Sequence, residues 1–217
     1  MNKRHKRNRN LGITYRRSFN GLRIMQCDEG VIVNYLSRMY ETIDKALEDH
    51  PRTTAVRVDL RIGSYLAGSN SLVISEFIAS LISQIEADTK RKKRSGKRVH
   101  QCRVRYAWVK EKDTALNQHY HMVLFFNKDS YAFLGNYQSS GNLSHMIKKA
   151  WATALDVDVE ESSFLVHFPE NPTYYLKRGS EQFDRELERL FYRISYFAKV
   201  RTKEYGNRKK NFGTSRR

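Results

Sequence analysis

Residues 101–127 read QCRVRYAWVKEKDTALNQHYHMVLFFN. Polar and apolar side chains alternate through Gln101–Tyr106 and His119–Met122, each run continuing into an apolar stretch, with a polar stretch between the two runs. Two such runs on either side of a short polar connection predict an antiparallel hairpin of strands Gln101–Glu111 and His119–Asn127. Upstream, Thr53–Arg61 (TTAVRVDLR) alternates strictly and is rich in β-branched residues, so it predicts a third strand. Ser163–Phe168, ended by Pro169, predicts a short fourth. Between these strands, Ile74, Ile78, Leu81, Ile82 and Ile85 mark a helix from Ser71 to about Lys93. Met146, Ile147, Ala150 and Trp151 mark another over Leu143–Leu155. The order β-α-β-β-α-β predicts an α+β protein with a ferredoxin-like antiparallel sheet and two helices on one face. A helix over Asp28–Asp49, stopped by Pro51, precedes this unit, and a long helix from Glu181 to about Lys203 follows it.

The chain has 217 residues and a formal net charge of +17. Five Lys/Arg fall in residues 1–10, seven in residues 90–98 and eight in residues 199–217, leaving a nearly neutral body. Positive charge gathered on terminal arms and one internal run predicts a polyanionic partner, above all nucleic acid. The domain organisation expected is a basic arm over 1–27, one domain over 28–203 and a basic tail over 204–217. The longest apolar run, Met122–Phe126, is far short of the roughly 20 residues that span a bilayer. No apolar signal core follows the basic N-terminus, and Cys27 and Cys102 have no metal or disulfide spacing. These features predict a cytoplasmic protein with no membrane partner.

Alternation divides each strand into two faces. Val56, Val58 and Leu60, with Cys102, Val104, Tyr106 and Trp108, and Tyr120, Met122, Leu124 and Phe126, can cover the two crossover helices. The opposite face gathers Arg57, Asp59, Arg61, Arg103, Arg105, Glu111, His119 and His121. Burying so many charges is costly, so this face is expected to be an open working surface rather than core. His119 and His121 share a face roughly 6.6 Å apart along the strand, close enough to converge on one ion. Glu111 across the hairpin is the first choice to complete the set, and Asp59 on the neighbouring strand the second. Imidazole with carboxylate suits Mn²⁺, and Mg²⁺ with retained waters is an alternative. His145 and His167 lack such company and are read as structural, with His167 expected near the same face. Arg57, Arg103 and Arg105 are expected to contact the nucleic-acid strand.

In the last helix Phe183, Leu187, Leu190, Phe191, Ile194, Phe197 and Ala198 form one apolar side, while Tyr192, Tyr196, Lys199 and Lys203 fall on the other. A tyrosine can attack a phosphodiester when a neighbouring cation makes its phenol more acidic. Lys199, one turn from Tyr196, is placed to stabilise the phenolate or the developing phosphorane charge. A divalent ion on the histidines would polarise the phosphate.

These residues resemble a known family. His119-Tyr-His121 before an apolar strand, with a Tyr-x-x-Lys segment downstream, resembles the His-x-His/tyrosine endonuclease superfamily of rolling-circle replication initiators. HYHMVLFFNKDSY, LVHFPENPTYYL, FYRISYFAKVRTK and the closing NFGTSRR resemble the filamentous-phage-type, inovirus-like replication proteins also encoded by prophages. The resemblance covers roughly residues 50–217. It implies a metal-dependent enzyme that nicks and rejoins single-stranded or hairpin origin DNA through a 5′-phosphotyrosine. Tyr196 takes the nucleophile position, Lys199 that of the accompanying lysine, and His119 and His121 those of the metal pair. Tyr192 repeats the four-residue spacing of two-tyrosine initiators, although Ser195 stands where they carry a lysine. No Gxxxx-GK-[ST] loop is present, so unwinding is assigned to a host helicase and its replication machinery. The rival readings are a non-cleaving DNA-binding regulator on the same fold and a transposase of the same chemistry.

Overall fold

The computed structural model describes residues 3–63, 72–112, 118–203 and 210–216. Parts of both basic termini (residues 1–2, 204–209 and 217), residues 64–71, which include the expected helix start at Ser71, and residues 113–117 of the hairpin loop lie outside the described residues. In chain order the elements are β1 (Lys3–His5), β2 (Asn8–Thr14), β3 (Ser18–Phe19), β4 (Leu22–Arg23), β5 (Val31–Ile32), α1 (Val33–Asp49) and β6 (Arg52–Arg61). There follow α2 (Val73–Arg94), β7 (Arg105–Lys112), β8 (Gln118–Asn127), α3 (Leu143–Leu155), α4 (Val159–Ser163), β9 (Val166–His167) and β10 (Thr173–Lys177). The chain closes with α5 (Phe183–Ser195), a 3-10 turn (Tyr196–Ala198) and β11 (Phe212–Thr214).

The protein is α+β. Its main sheet runs β10-β6-β8-β7-β11, with β9 on β6 beside β10, and every pairing is antiparallel. β9 and β10 occupy successive stretches of the same β6 edge, Asp59–Leu60 and Arg52–Val56. Pro169 and Pro172 lie in the break between them, where Asn171 takes a left-handed backbone (φ 49°).

Local chemistry sets the helix ends. Asn142 caps α3 by accepting the His145 N–H at 3.0 Å. Asp156 ends it in the left-handed region. The last turn of α2 carries Arg91, Lys92, Lys93 and Arg94, which complement its carbonyl end.

The face of Val56, Val58, Leu60, Trp108, Met122 and Phe126 packs on α2 and α3 around the fully buried Phe77 and Trp151. The other face departs from the expectation of an open polar surface. Ala55, Ala107, Val109, Val123 and Phe125 are buried there beneath α1 and α5, with Leu36, Met39, Ile43, Phe191, Ile194 and Phe197. The reason is local: small and apolar residues fill the middle of that face around Arg57, which is buried and paired with Asp59, and the remaining charges sit towards its ends. Burying a large side chain stabilises by roughly 1.5–3 kcal/mol, which favours covering this middle. Only the end carrying Asp59, Glu111, His119 and His121 remains for chemistry.

The termini are also structured. Residues 3–27, within the expected basic arm, contribute β1–β4, and β1 and β2 join β5 in a three-stranded sheet with Ile13, Ile24, Val31 and Ile32 buried, so the helix expected from Asp28 begins only at Val33, after β5. The tail contributes β11, whose Phe212 stacks on Tyr35 at 4.1 Å. Gly213 passes so close to Trp108 that an added Cβ would lie 2.6 Å from the indole. Among the described residues no helix is long and apolar enough to cross a membrane.

Candidate active site

Three adjacent strands bring the site together. Asp59 on β6 pairs with His121 on β8, and His119 on β8 pairs with Glu111 on β7. Directly opposed residues share a face, so two imidazoles and two carboxylates converge from sequence positions up to 62 residues apart. His119 Nε2 and His121 Nε2 lie 3.2 Å apart. Glu111 Oε2 is 3.4 Å from His121 Nε2 and 4.0 Å from His119 Nε2. Ligands about 2.1 Å from one ion are separated by about 3.0–3.4 Å at octahedral to tetrahedral angles. The ligand atoms of Glu111, His119 and His121 all lie within 4.8 Å of one another, so this set fits a single divalent ion.

Asp59 stands behind that triad rather than in it. Its Oδ1 lies 2.7 Å from His121 Nδ1, fixing the ring so that Nε2 faces the other two ligands. Arg57 pairs with the same carboxylate, lies 4.6 Å over the Phe197 ring, and is itself buried. Burial pulls the Arg57 guanidinium below its usual value, while Asp59 opposes that shift. Burial would raise the Asp59 carboxyl, but His121 and Arg57 hold it below the usual range. Burial would likewise lower His121, and the hydrogen bonds to Asp59 and Glu111 outweigh it and raise the imidazole.

Lys199 joins this cluster to the tyrosine. Its Nζ lies 2.7 Å from Glu111 Oε2 and donates to the Tyr196 hydroxyl at 2.8 Å. Burial lowers the Lys199 ammonium less than Glu111 and Tyr196 raise it, so it stays above its usual value. Lys203 donates to Glu111 Oε1 at 3.3 Å, and burial brings its ammonium down to about 8 against the opposing effect of Glu111. Burial alone would raise Glu111, but His121, Lys203 and Lys199 hold it far below the ordinary carboxylate range.

The backbone that delivers Lys199 differs from the continuous helix expected to about Lys203. α5 ends at Ser195, the 3-10 turn carries Tyr196, and Lys199 is extended (φ −53°, ψ 141°). Ser195 supplies the reason. Its hydroxyl donates to the Tyr192 carbonyl at 2.6 Å and accepts the Met25 N–H at 2.8 Å, tying the helix end to the N-terminal segment. Beyond it, Lys199 bridges to Val31, and Val200 N–H donates to the Gly30 carbonyl at 3.2 Å. Gly30 is required there: its φ is +80°, and a Cβ would lie 2.9 Å from the Thr14 carbonyl oxygen.

The remaining expected residues divide. Tyr192 is exposed, with the Arg23 guanidinium 5.6 Å over its ring. Arg105 opens β7, about 20 Å from Glu111 at the strand rise, and Arg103 precedes the strand, farther still from the site. Arg105 is buried against Asp49 at 2.6 Å and donates to the Arg216 carbonyl, so it is not an open strand contact. Arg57 and Lys203 are likewise enclosed, by Asp59 and by Glu111. Strand alternation assigned the face of Arg57 and Arg105 correctly and carried no information about which helices cover it. His167, read as structural, is placed opposite Asp59 by the β6–β9 register and is exposed beside the site. The short β9 gave too little pattern to fix that register from sequence.

A family model described as the YagK/YfjJ C-terminal domain matches residues 14–215. The chain belongs to this family. Escherichia coli (strain K12) protein YagK, itself uncharacterized, is 36% identical over 193 residues, covering 85% of this chain and 93% of the relative. YfjJ of the same strain, also uncharacterized, is 34% identical over 194 residues, covering 84% and 93%. No solved structure matches the chain significantly. The match takes in every member of the cluster, from Asp59 to Lys203.

Proposed function

We propose that this protein is a metal-dependent tyrosine endonuclease that nicks and rejoins single-stranded DNA, serving as a rolling-circle replication initiator. One observation carries the reading: Lys199 hydrogen-bonds both the Tyr196 hydroxyl and Glu111 of the triad, so one site holds a nucleophile and an ion-binding set. The strand order β9-β6-β8-β7 with α2 and α3 as crossovers supports a ferredoxin-like core. The helices α1 and α5 on its second face are additions to that plan.

Glu111, His119 and His121 would hold Mn²⁺ or Mg²⁺, with Asp59 orienting His121, and the imidazoles favour Mn²⁺. Such an ion supplies polarisation of the scissile phosphate. Tyr196 Oη forms a bond to phosphorus as the P–O3′ bond breaks. The phenolic proton is lost and the departing 3′ oxygen takes one up, giving a 5′-phosphotyrosine and a free 3′ hydroxyl. Lys199 offsets negative charge at the phenolate and at the phosphorane. The reverse step rejoins the strand without an external energy source, and strand opening is left to a host helicase in the cytoplasm.

The test is a denaturing gel of the protein with single-stranded DNA from its own replicon, in Mn²⁺ or in EDTA. The expected result is a metal-dependent covalent adduct that Tyr196→Phe abolishes. Loss of rejoining in Tyr192→Phe, with first cleavage intact, identifies a second nucleophile. Tight binding without cleavage across the whole replicon overturns the endonuclease reading in favour of a DNA-binding regulator.

A further inference from the structure

The strands β1 and β2 form a two-stranded ribbon that the chemistry above does not use. Lys3–Asn8 and the outer half of β2 precede residue 14, where the family match begins. Its base is anchored, because Ile13 is buried and Leu11 packs on the second core. Its tip is ordered by His5, whose Nδ1 accepts the Arg7 and Asn8 N–H groups at 3.2 and 3.1 Å. Lys3, Arg4, Lys6, Arg7 and Arg9 are all exposed, and no Asp or Glu precedes Asp28. Among the described residues, Arg4, Lys6, Arg7 and Arg9 make no ion pair.

The ribbon is also connected to the site. β1 pairs with β2, β2 pairs with β5 at Thr14↔Val31, and Val31 bridges to Lys199. From Thr14 the ribbon extends about 20 Å to its tip, at about 3.4 Å per residue. It is a basic arm held at a fixed distance from the Lys199 backbone.

We infer that the β1–β2 ribbon is a binding element for duplex DNA beside the strand that Tyr196 cleaves, an inference that rests on the endonuclease reading for its location. Three observations select the occupant. An antiparallel ribbon matches the major groove, about 12 Å wide. Single-strand sites depend on aromatic platforms, and residues 3–13 hold no Phe, Tyr or Trp. A lipid surface needs outward apolar groups, whereas Leu11 and Ile13 are packed inward. Unpaired Lys and Arg supply phosphate contacts, which fix register on the duplex.

The experiment uses the full chain in EDTA, so that no strand is cut. Fluorescence anisotropy compares a labelled 30-nucleotide single strand with the same strand annealed to a complement over half its length. The expected result is that Lys6→Gln/Arg7→Gln/Arg9→Gln weakens binding to the half-duplex about 10- to 100-fold at physiological salt. The logarithmic salt slope on that probe should fall by about 2.7, at ~0.9 per phosphate contact. Single-strand affinity and adduct formation in Mn²⁺ should stay within twofold, and an unchanged melting temperature confirms that the fold is intact. Equal losses on both probes would place the ribbon on the single-strand path and overturn the proposal. No loss on either would overturn it in favour of a different acidic partner, such as a protein. Failure of the endonuclease reading is separable: it appears as no Tyr196 adduct and leaves the probe comparison intact.

Discussion

The Lys199 ammonium donates to the Tyr196 hydroxyl at 2.8 Å and lies 3.9 Å from the centroid of the same ring. The two residues meet through a tightened turn, since Tyr196 opens the 3-10 segment and Lys199 follows it in extended backbone. A continuous α-helix would have carried Lys199 onward along its axis. The break turns the ammonium back towards Glu111 as well as towards the phenol.

Replacing this ammonium tests its place in the chemistry. Lys199→Ala should lower the rate of adduct formation about 10²- to 10³-fold, the range found for removing one group that stabilises transition-state charge. Single-turnover cleavage with Mn²⁺ in excess is the measurement. A rate within threefold of wild type would limit Lys199 to holding Glu111.

Asp59 tests the role of the group behind the ligands. Asp59→Asn removes the charge that orients His121 and should weaken Mn²⁺ binding about 10- to 100-fold, as loss of such outer partners does elsewhere. Calorimetric titration of the protein with Mn²⁺ reads it directly, and raised Mn²⁺ should restore cleavage. Because Arg57 loses its buried partner, the melting temperature should fall too. Stability loss with unchanged Mn²⁺ affinity would make Asp59 a structural residue only.

Two glycines separate local packing from site assembly. Gly30→Ala places a Cβ 2.9 Å from the Thr14 carbonyl oxygen in a left-handed backbone, next to the carbonyl that holds Val200. It should cost about 1–3 kcal/mol and lower adduct formation together with stability. Gly213→Ala forces Trp108 or β11 to move, with its Cβ 2.6 Å from the indole. It should destabilise similarly and leave the adduct rate of the folded protein unchanged. Denaturant melts with single-turnover assays distinguish the two.

The central sheet was readable because alternation through Val56–Arg61, Gln101–Tyr106 and His119–Met122 marks the strands, even though Met122–Phe126 is apolar throughout. TTAVRVDLR and HYHMVLFFN state their faces residue by residue, and the pairing of Asp59 with His121 follows from neighbouring strands. The choice between Glu111 and Asp59 was not readable, since both stand on the right face and only the register across the hairpin brings Glu111 Oε2 towards both imidazoles. The covering of Ala107, Val109 and Phe125 by α1 and α5 is a tertiary event that alternation does not encode. The break after Ser195 was hidden for a similar reason. FYRISYFAKVRTK keeps helical spacing throughout, and the contacts that end the helix come from Met25, Gly30 and Val31, more than 160 residues earlier in the chain.

Away from the site, Asp88 gives a prediction with a definite sign. It is buried on α2, lies 2.7 Å from Lys92, pairs with Arg91 and accepts from the Tyr131 hydroxyl at 2.7 Å. Burial would raise its pKa, but Lys92, Arg91 and Tyr131 together hold it below the usual carboxylate value. The unfolded chain therefore takes up a proton at higher pH than the folded one does. Stabilisation by Asp88 is complete above the ordinary carboxylate pKa of about 3.9 and is lost as pH falls through the folded-state value. Asp88→Asn should cost about 1–3 kcal/mol at pH 7 and flatten the acid limb of the stability curve below about pH 4. Urea melts from pH 3 to pH 7 should show the two proteins converging at the acid end. Parallel curves offset by a constant amount would assign the effect to packing instead of charge.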